Sequence, residues 1–419
     1  MNILYVTNDF PYPLTSGHLR HYFLIRELAR HHRITLLSIV RPSFMDEHRA
    51  ALEPFTERIA TFVSSTQGRS RMQKARNQVA AFAERRPIDL AALELQKAAA
   101  ELCRHIRFDA AVISGRRTTP ALDALTGIPL IADLCDADSV RLLGALRRSA
   151  LMQLPRILIE YLRVRRAERS LIRAAAHVLF AAQRDLHALI GHGIGRASVI
   201  PNGVDLAYWH RKRRERGQAT MIFTGAMQYA PNTDAAIWLI ERVLPLVRQE
   251  RPDARLLIVG RDPPPPLERA GHLDGVVVTG AVPDMRPELE RASVFVAPLR
   301  FGAGIQNKVL EALAMELPVV VTPLAAAGLR SREGVDPPLV TASEPAQIAQ
   351  ALLRELAACD RDRSARAAGR AFVHRHFSWQ HSGQQLDAVL HEVVQRERWH
   401  QARNREVRRA PSAAQRAHR

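Results

Sequence analysis

The residues best suited to chemistry lie in one stretch, Gly302-Ala-Gly304-Ile-Gln-Asn-Lys308-Val-Leu-Glu311, directly after an apolar run that ends at Pro298. Gly302 and Gly304 make a loop whose backbone can fold around phosphate oxygens, and a helix-length segment follows at once. Lys308 falls in the first turn of that segment, where the helix dipole already favours anions. Glu311, three residues on, shares its face. A lysine neutralises a diphosphate, and a carboxylate accepts hydrogen bonds from two ribose hydroxyls, so the pair suits the two ends of a nucleoside diphosphate. The plainer alternative is a solvated Lys–Glu pair, worth roughly a few tenths of a kcal/mol. Residue usage weakens it: only four of the 60 basic residues are lysines, and one stands here. A second glycine, Gly17 in Asn8-Asp-Phe-Pro-Tyr-Pro-Leu-Thr-Ser-Gly17, either lets a phosphate or sugar hydroxyl approach a helix start or is an ordinary turn glycine.

These residues need a frame. Short apolar runs at 3–7, 34–39, 59–63, 110–114, 129–133, 177–181 and 198–201 alternate with amphipathic stretches such as 19–30 and 89–106. That alternation predicts a parallel sheet covered by helices on both faces. The pattern restarts at 221–224, 255–259, 276–279, 294–297, 319–322 and 339–341, with helices including 235–249 and 307–315. Two doubly wound Rossmann-like α/β domains in tandem are therefore expected, with ligands beyond the carboxyl ends of the strands. The division reads as residues 1–205, a charged joint at 206–218, a donor-side domain at 219–375, and a helix at 376–395 crossing back to the first domain. Residues 396–419, rich in arginine, read as a frayed helix passing into a disordered basic tail.

The glycine loop, the helix bearing Lys308 and Glu311, and the Pro318-Val-Val that follows resemble the large retaining glycosyltransferase family four, in the form common among bacterial exopolysaccharide enzymes. Ser16-Gly17 matches its N-terminal glycine loop, and Val199-Ile-Pro-Asn-Gly-Val-Asp205 its interdomain crossing. Phe223-Thr-Gly225-Ala matches the first donor-domain strand, and Val278-Thr-Gly-Ala-Val282-Pro-Asp284 the segment whose backbone meets the nucleobase. The resemblance spans about residues 1–395. It implies a GT-B fold, two domains facing a cleft, and transfer of a sugar from a nucleoside diphosphate sugar with retention, in cell-surface polysaccharide or glycoconjugate synthesis. Lys308 and Arg300 are the expected charge stabilisers, Glu311 the ribose anchor, and Gly17, Gly225, Val282 and Gly304 further donor contacts. Two positions depart from the family. Ala303 stands where members often carry a sugar-contacting glutamate, and Gly225-Ala-Met-Gln-Tyr-Ala-Pro-Asn232 lacks the usual diphosphate-holding cations. Those departures leave open a non-catalytic nucleotide-sugar-binding protein in a GT-B shell. In place of the family's acceptor-side histidine stands Ala132-Asp-Leu-Cys-Asp136-Ala-Asp-Ser139. Asp133, Asp136 or Asp138 could meet a sugar hydroxyl, Asp136 being favoured, or the three could cap the following helix.

Composition narrows the classes. No run of 18 or more apolar residues occurs, and the sequence opens directly on a strand without a leader, so a cytoplasmic protein is expected. Three scattered cysteines make no disulfide framework, and the 17 histidines show no ligand spacing, so neither a bound metal nor any other cofactor is expected. The net charge of +18 reflects either codon bias towards arginine or a surface that attracts anions. No nucleic-acid motif accompanies it, and aromatic residues make up only 5%, so no nucleic-acid partner is expected. The run Leu154-Pro-Arg-Ile-Leu-Ile-Glu-Tyr-Leu-Arg-Val-Arg-Arg166 interleaves aliphatics with arginine. It is either a solvated helix face or a peripheral contact with an anionic inner leaflet, near a glycan or lipid-linked acceptor.

Overall fold

A computed structural model describes residues 1–14, 19–64, 89–146, 153–191, 195–212, 219–302, 305–331, 333–358 and 363–409. Gly17, Ala303 and Gly304 lie outside the described residues. The chain divides into two units: the first holds Met1–Phe180, Ile190–Ile200 and Gly383–Arg419, the second Ala181–Leu189 and Pro201–Ser382. The division falls between Ile200 and Pro201, five residues before the expected joint, and segments of each unit interrupt the other.

In the first unit β1 (Asn2–Thr7), β2 (Arg33–Val40), β3 (Arg58–Val63), β4 (Ala110–Ser114), β5 (Leu130–Cys135), β6 (His177–Phe180) and β7 (Ala197–Val199) form one parallel sheet in the order β3-β2-β1-β4-β5-β6-β7. The central strands are apolar along their length and not alternating, because helices cover both faces. Around them run α1 (Leu19–Leu28), α2 (Leu90–His105), α3 (Asp138–Leu146) and α4 (Leu154–Ala174). Asp89 caps α2 by accepting a hydrogen bond from Ala91 N at 3.2 Å. The strand order reverses between β1 and β4, which makes that pair the switch point of the unit.

The second unit repeats the plan with β8 (Thr220–Thr224), β9 (Arg255–Val259), β10 (Val276–Val278), β11 (Val294–Ala297), β12 (Val319–Val321) and β13 (Val340–Thr341), in the order β10-β9-β8-β11-β12-β13 and parallel throughout. Here the order reverses between β8 and β11. Its helices include α5 (Gln183–Ile190), which starts in this unit, then α6 (Ala230–Trp238), α7 (Leu244–Glu250), α8 (Asn307–Ala314), α9 (Pro345–Ala358) and α10 (Arg363–His376). The single helix expected at 235–249 starts earlier, at Ala230, and is interrupted by a π-helical turn over Leu239–Val243. Pro245 explains the interruption: it has no N–H to give the preceding turn, and Leu244 N bonds instead to Leu239 O.

The last helix, α11 (Trp379–Arg409), runs through the helix expected at 376–395 and on into the arginine-rich residues expected to fray. Leu386, Leu390, Val393 and Val394 follow helical spacing and enter the core of the first unit beside Leu24, Ile25 and Leu28. Arg396 pairs with Glu392 one turn back, and Arg398 meets Asp109 at 2.9 Å, so the helix continues to Arg409. Residues 410–419 lie outside the described residues.

Candidate functional site

At the switch point of the second unit, β8 leads into Gly225 and β11 leads through Leu299 and Arg300 towards α8. The backbone edge here is tight. Gly225 N bonds to Val259 O at 3.0 Å and Gly260 N to Gly280 O at 3.1 Å. A Cβ at Gly260 would lie 1.6 Å from the Gly225 carbonyl oxygen, so only glycine lets the β8 and β9 exits run side by side. Asn232 closes over Gly225, is 5% exposed, and donates through Nδ2 to Ala226 O at 3.0 Å.

Lys308 comes to this point from the first turn of α8. Its Nζ donates to Asn232 Oδ1 and stands 4.9 Å from the centre of the buried Phe223 ring, which is in β8. Gln306, the residue before the helix, makes no side-chain cap; Asn307 N and Val309 N bond instead to the carbonyls of Ile305 and Gln306 at 3.2 and 2.9 Å, and the helix dipole still favours an anion at this end. Glu311 lies one turn up. Both residues are half-buried, and the protein around them strips water from their charged groups. Burial pushes the Lys308 ammonium down to about 7, with Glu311 opposing the change. Burial likewise pushes the Glu311 carboxyl up to about 7, with Lys308 opposing. The alternative of an ordinary solvated pair does not describe them.

Glu311 also acts on Tyr208, whose phenol is raised first by burial, then by Asp284 and, more weakly, by Glu311. Tyr208 donates to Asp284 Oδ1 at 3.2 Å and carries the Arg286 guanidinium 3.9 Å above its ring. Val282, half-buried against the core, belongs to the same loop as Asp284. A ring of groups therefore surrounds the β8–β11 crevice: Gly225, Asn232, Lys308 and Glu311, with Tyr208 and the 282–284 loop beside Glu311. Arg300 is different. Its guanidinium grips Asp234 through two hydrogen bonds, Nε to Oδ2 at 2.8 Å and Nη2 to Oδ1. Asp234 thus already answers part of its charge and holds the guanidinium in place. Arg184, on α5, reaches the glycine loop instead, donating to Gly302 O at 3.3 Å.

The first unit holds the three candidate acids after β5. Asp133 is wholly buried, takes Arg20 Nε at 2.7 Å and accepts from Cys135 N at 3.1 Å, while Arg20 also donates to Ile200 O at 2.7 Å. It is structural. Asp138 opens α3 and pairs with Arg141 at 2.8 Å. Asp136 is half-buried on the turn between them, after the left-handed Cys135 at φ 59°. Sequence reading missed Asn232, Arg184, Tyr208 and the Arg20–Asp133 pair, because each partner lies far along the chain and no local spacing marks it. It also missed a possible ligand set: His32, Asp387 and His391 bring one nitrogen or oxygen each within 4.8 Å of one another. His32 Nε2 and Asp387 Oδ1, 2.6 Å apart, already bond to each other there and fasten α11 to the end of α1.

Residues 218–358 match the family described as glycosyl transferases group 1. That segment contains every group of the β8–β11 crevice except Tyr208 and Arg184. No curated protein matches the chain. Among solved structures it resembles HepE of Anabaena in complex with UDP-glucose at 14% identity and TM-score 0.64, covering 94% of this chain and all of that one. A glycosyltransferase from Rickettsia africae matches at 13% and 0.63, covering 94% and 98%. The sucrose-phosphate synthase of Thermosynechococcus elongatus matches at 13% and 0.67, covering 94% and 99%. At such identities the likeness establishes the fold, GT-B, as expected of two doubly wound units.

Proposed function

We propose that the protein transfers a sugar from a nucleoside diphosphate sugar to a glycan or lipid-linked acceptor, with retention at the anomeric carbon and without a bound metal. The observation that carries this reading is the convergence of Lys308, Asn232 and Glu311 beside Gly225, at the strand switch point of the segment that matches the group 1 family. Negative charge builds on the departing diphosphate as the sugar acquires oxocarbenium character. Lys308, in the first turn of α8, is the cation placed to meet that charge, and the helix dipole adds to it. Glu311 accepts the ribose hydroxyls, and the backbone after β10, around Val282, meets the base. Arg184 supplies at the glycine loop the second cation that the loop after Gly225 lacks. Asp136 is assigned to the acceptor side. Retention is what the resemblance to family four implies, as is a role in cell-surface polysaccharide or glycoconjugate synthesis.

UDP-glucose, bound in the HepE structure, is the first donor to test. Calorimetry is expected to show binding, and Lys308→Ala and Glu311→Ala each to weaken it by roughly 1–3 kcal/mol while the protein stays folded. Unchanged affinity in both well-folded variants, across the common nucleotide sugars, removes this site. Release of the nucleoside diphosphate in the presence of acceptor extracts distinguishes a transferase from a protein that only binds the donor.

A further inference from the structure

The arginine-rich run at 154–166 takes no part in the donor site. It forms the first part of α4, a 21-residue helix packed against α3 in the first unit. The side of α4 turned to solvent holds Leu158, Leu162, Arg166, Arg169 and Arg173, spaced at three and four residues and so on one face. Leu158 is 46% and Leu162 44% exposed. The neighbouring α3 exposes Val140 at 36% and Leu143 at 39%. These two neighbouring helices therefore expose four large aliphatic side chains, and it is their number on two packed helices, not any one of them, that points to an interaction surface. The arginines next to them are unanswered: Arg156, Arg166, Arg169 and Arg173 make no ion pair among the described residues. The acids of α4 are engaged elsewhere, Glu160 with Arg116 and the buried Glu168 with Ser139 N at 3.0 Å.

We propose that this face of α3 and α4 docks on an anionic phospholipid bilayer, with Val140, Leu143, Leu158 and Leu162 entering the headgroup boundary and the arginines lying over the phosphates. Charge selects the occupant. A second copy of the chain would bring the same arginines against these, and a nucleic acid would leave the aliphatic residues without bases to stack on, since the patch has no aromatic residue. A lipid surface accommodates both halves. Among the described residues no helix is long and apolar enough to cross a membrane, so attachment is peripheral. The proposal is independent of the donor reading, because vesicle binding needs no nucleotide sugar.

Sedimentation of the full chain with phosphatidylcholine vesicles, with and without roughly a third phosphatidylglycerol, tests it. Binding is expected to the anionic vesicles only and to weaken with salt. Replacing Arg166, Arg169 and Arg173 by Gln is expected to weaken it about 100-fold, at about fivefold for each arginine. Leu158→Ser combined with Leu162→Ser is expected to weaken it about tenfold. All five positions are solvent-exposed, and unchanged thermal melts confirm the variants as folded. Equal binding to neutral vesicles, no binding to either, or full binding by either variant overturns the proposal. So does duplex DNA competing as strongly as anionic vesicles, or a dimer that the leucine variant dissociates.

Discussion

Before any ligand arrives, Lys308 and Glu311 both titrate near pH 7, the lysine pushed down and the glutamate pushed up by burial. Donor binding wants Lys308 charged against the diphosphate and Glu311 ionised against the ribose. At pH 8 a lysine of value about 7 is neutral in about nine molecules of ten, so binding must take up nearly one proton. At pH 6 the mirror case holds: a carboxyl of value about 7 is about nine-tenths protonated, and binding must release nearly one. Each side costs about 1.4 kcal/mol, a tenfold loss of affinity, relative to the fully competent form. Affinity therefore peaks near pH 7, and the proton count changes sign there. Calorimetry at pH 6 and pH 8, in paired buffers of different ionisation enthalpy, reads the count directly. A nucleoside diphosphate sugar is the right titrant because its phosphodiesters do not titrate in this range. Lys308→Met is expected to abolish the uptake at pH 8. No proton exchange at either pH, or uptake that survives in Lys308→Met, refutes the assignment of these two residues to the donor.

Three further outcomes follow from the packing. Asn232→Ala removes the acceptor that orients Lys308 and is expected to weaken donor binding about tenfold, with a stability loss of about 1–2 kcal/mol in a denaturant titration. Asp133→Asn leaves the buried Arg20 facing a neutral amide and is expected to cost about 3–5 kcal/mol of stability, whereas Asp138→Asn, on an exposed pair, costs about 1 kcal/mol or less. Sugar transfer is expected to survive a strong chelator, and loss of transfer that magnesium or manganese restores would overturn the metal-free mechanism.

Much of the frame was legible because the strands of a doubly covered sheet must be apolar on both faces. Runs such as 110–114, 255–259 and 294–297 therefore announce themselves with little ambiguity at their ends. Lys308 and Glu311 were legible for a local reason, their one-turn spacing after a glycine loop. Their depressed and raised titrations were not, because these depend on enclosure by Phe223, Asn232 and neighbours that arrive from β8 and α6. The partner of Arg300 was not legible for the same reason: Asp234 is 66 residues away. At the end of the chain the helix was legible but its length was not, because the aliphatic stripe that anchors it lies upstream of the arginine-rich residues it carries.

That helix also sets the order in which the protein can be made. Leu386, Leu390, Val393 and Val394 fill the core of a unit whose first strand is Asn2–Thr7, so the two ends of the chain complete one core. On the ribosome the first unit must wait, unfinished, while residues 201–382 are synthesised and their own sheet closes. The second unit, continuous over that stretch apart from Ala181–Leu189, is the one equipped to fold first. A stop codon just before residue 383 would therefore spare the second unit, the part nearest the cut, and leave the core that holds the first strand incomplete.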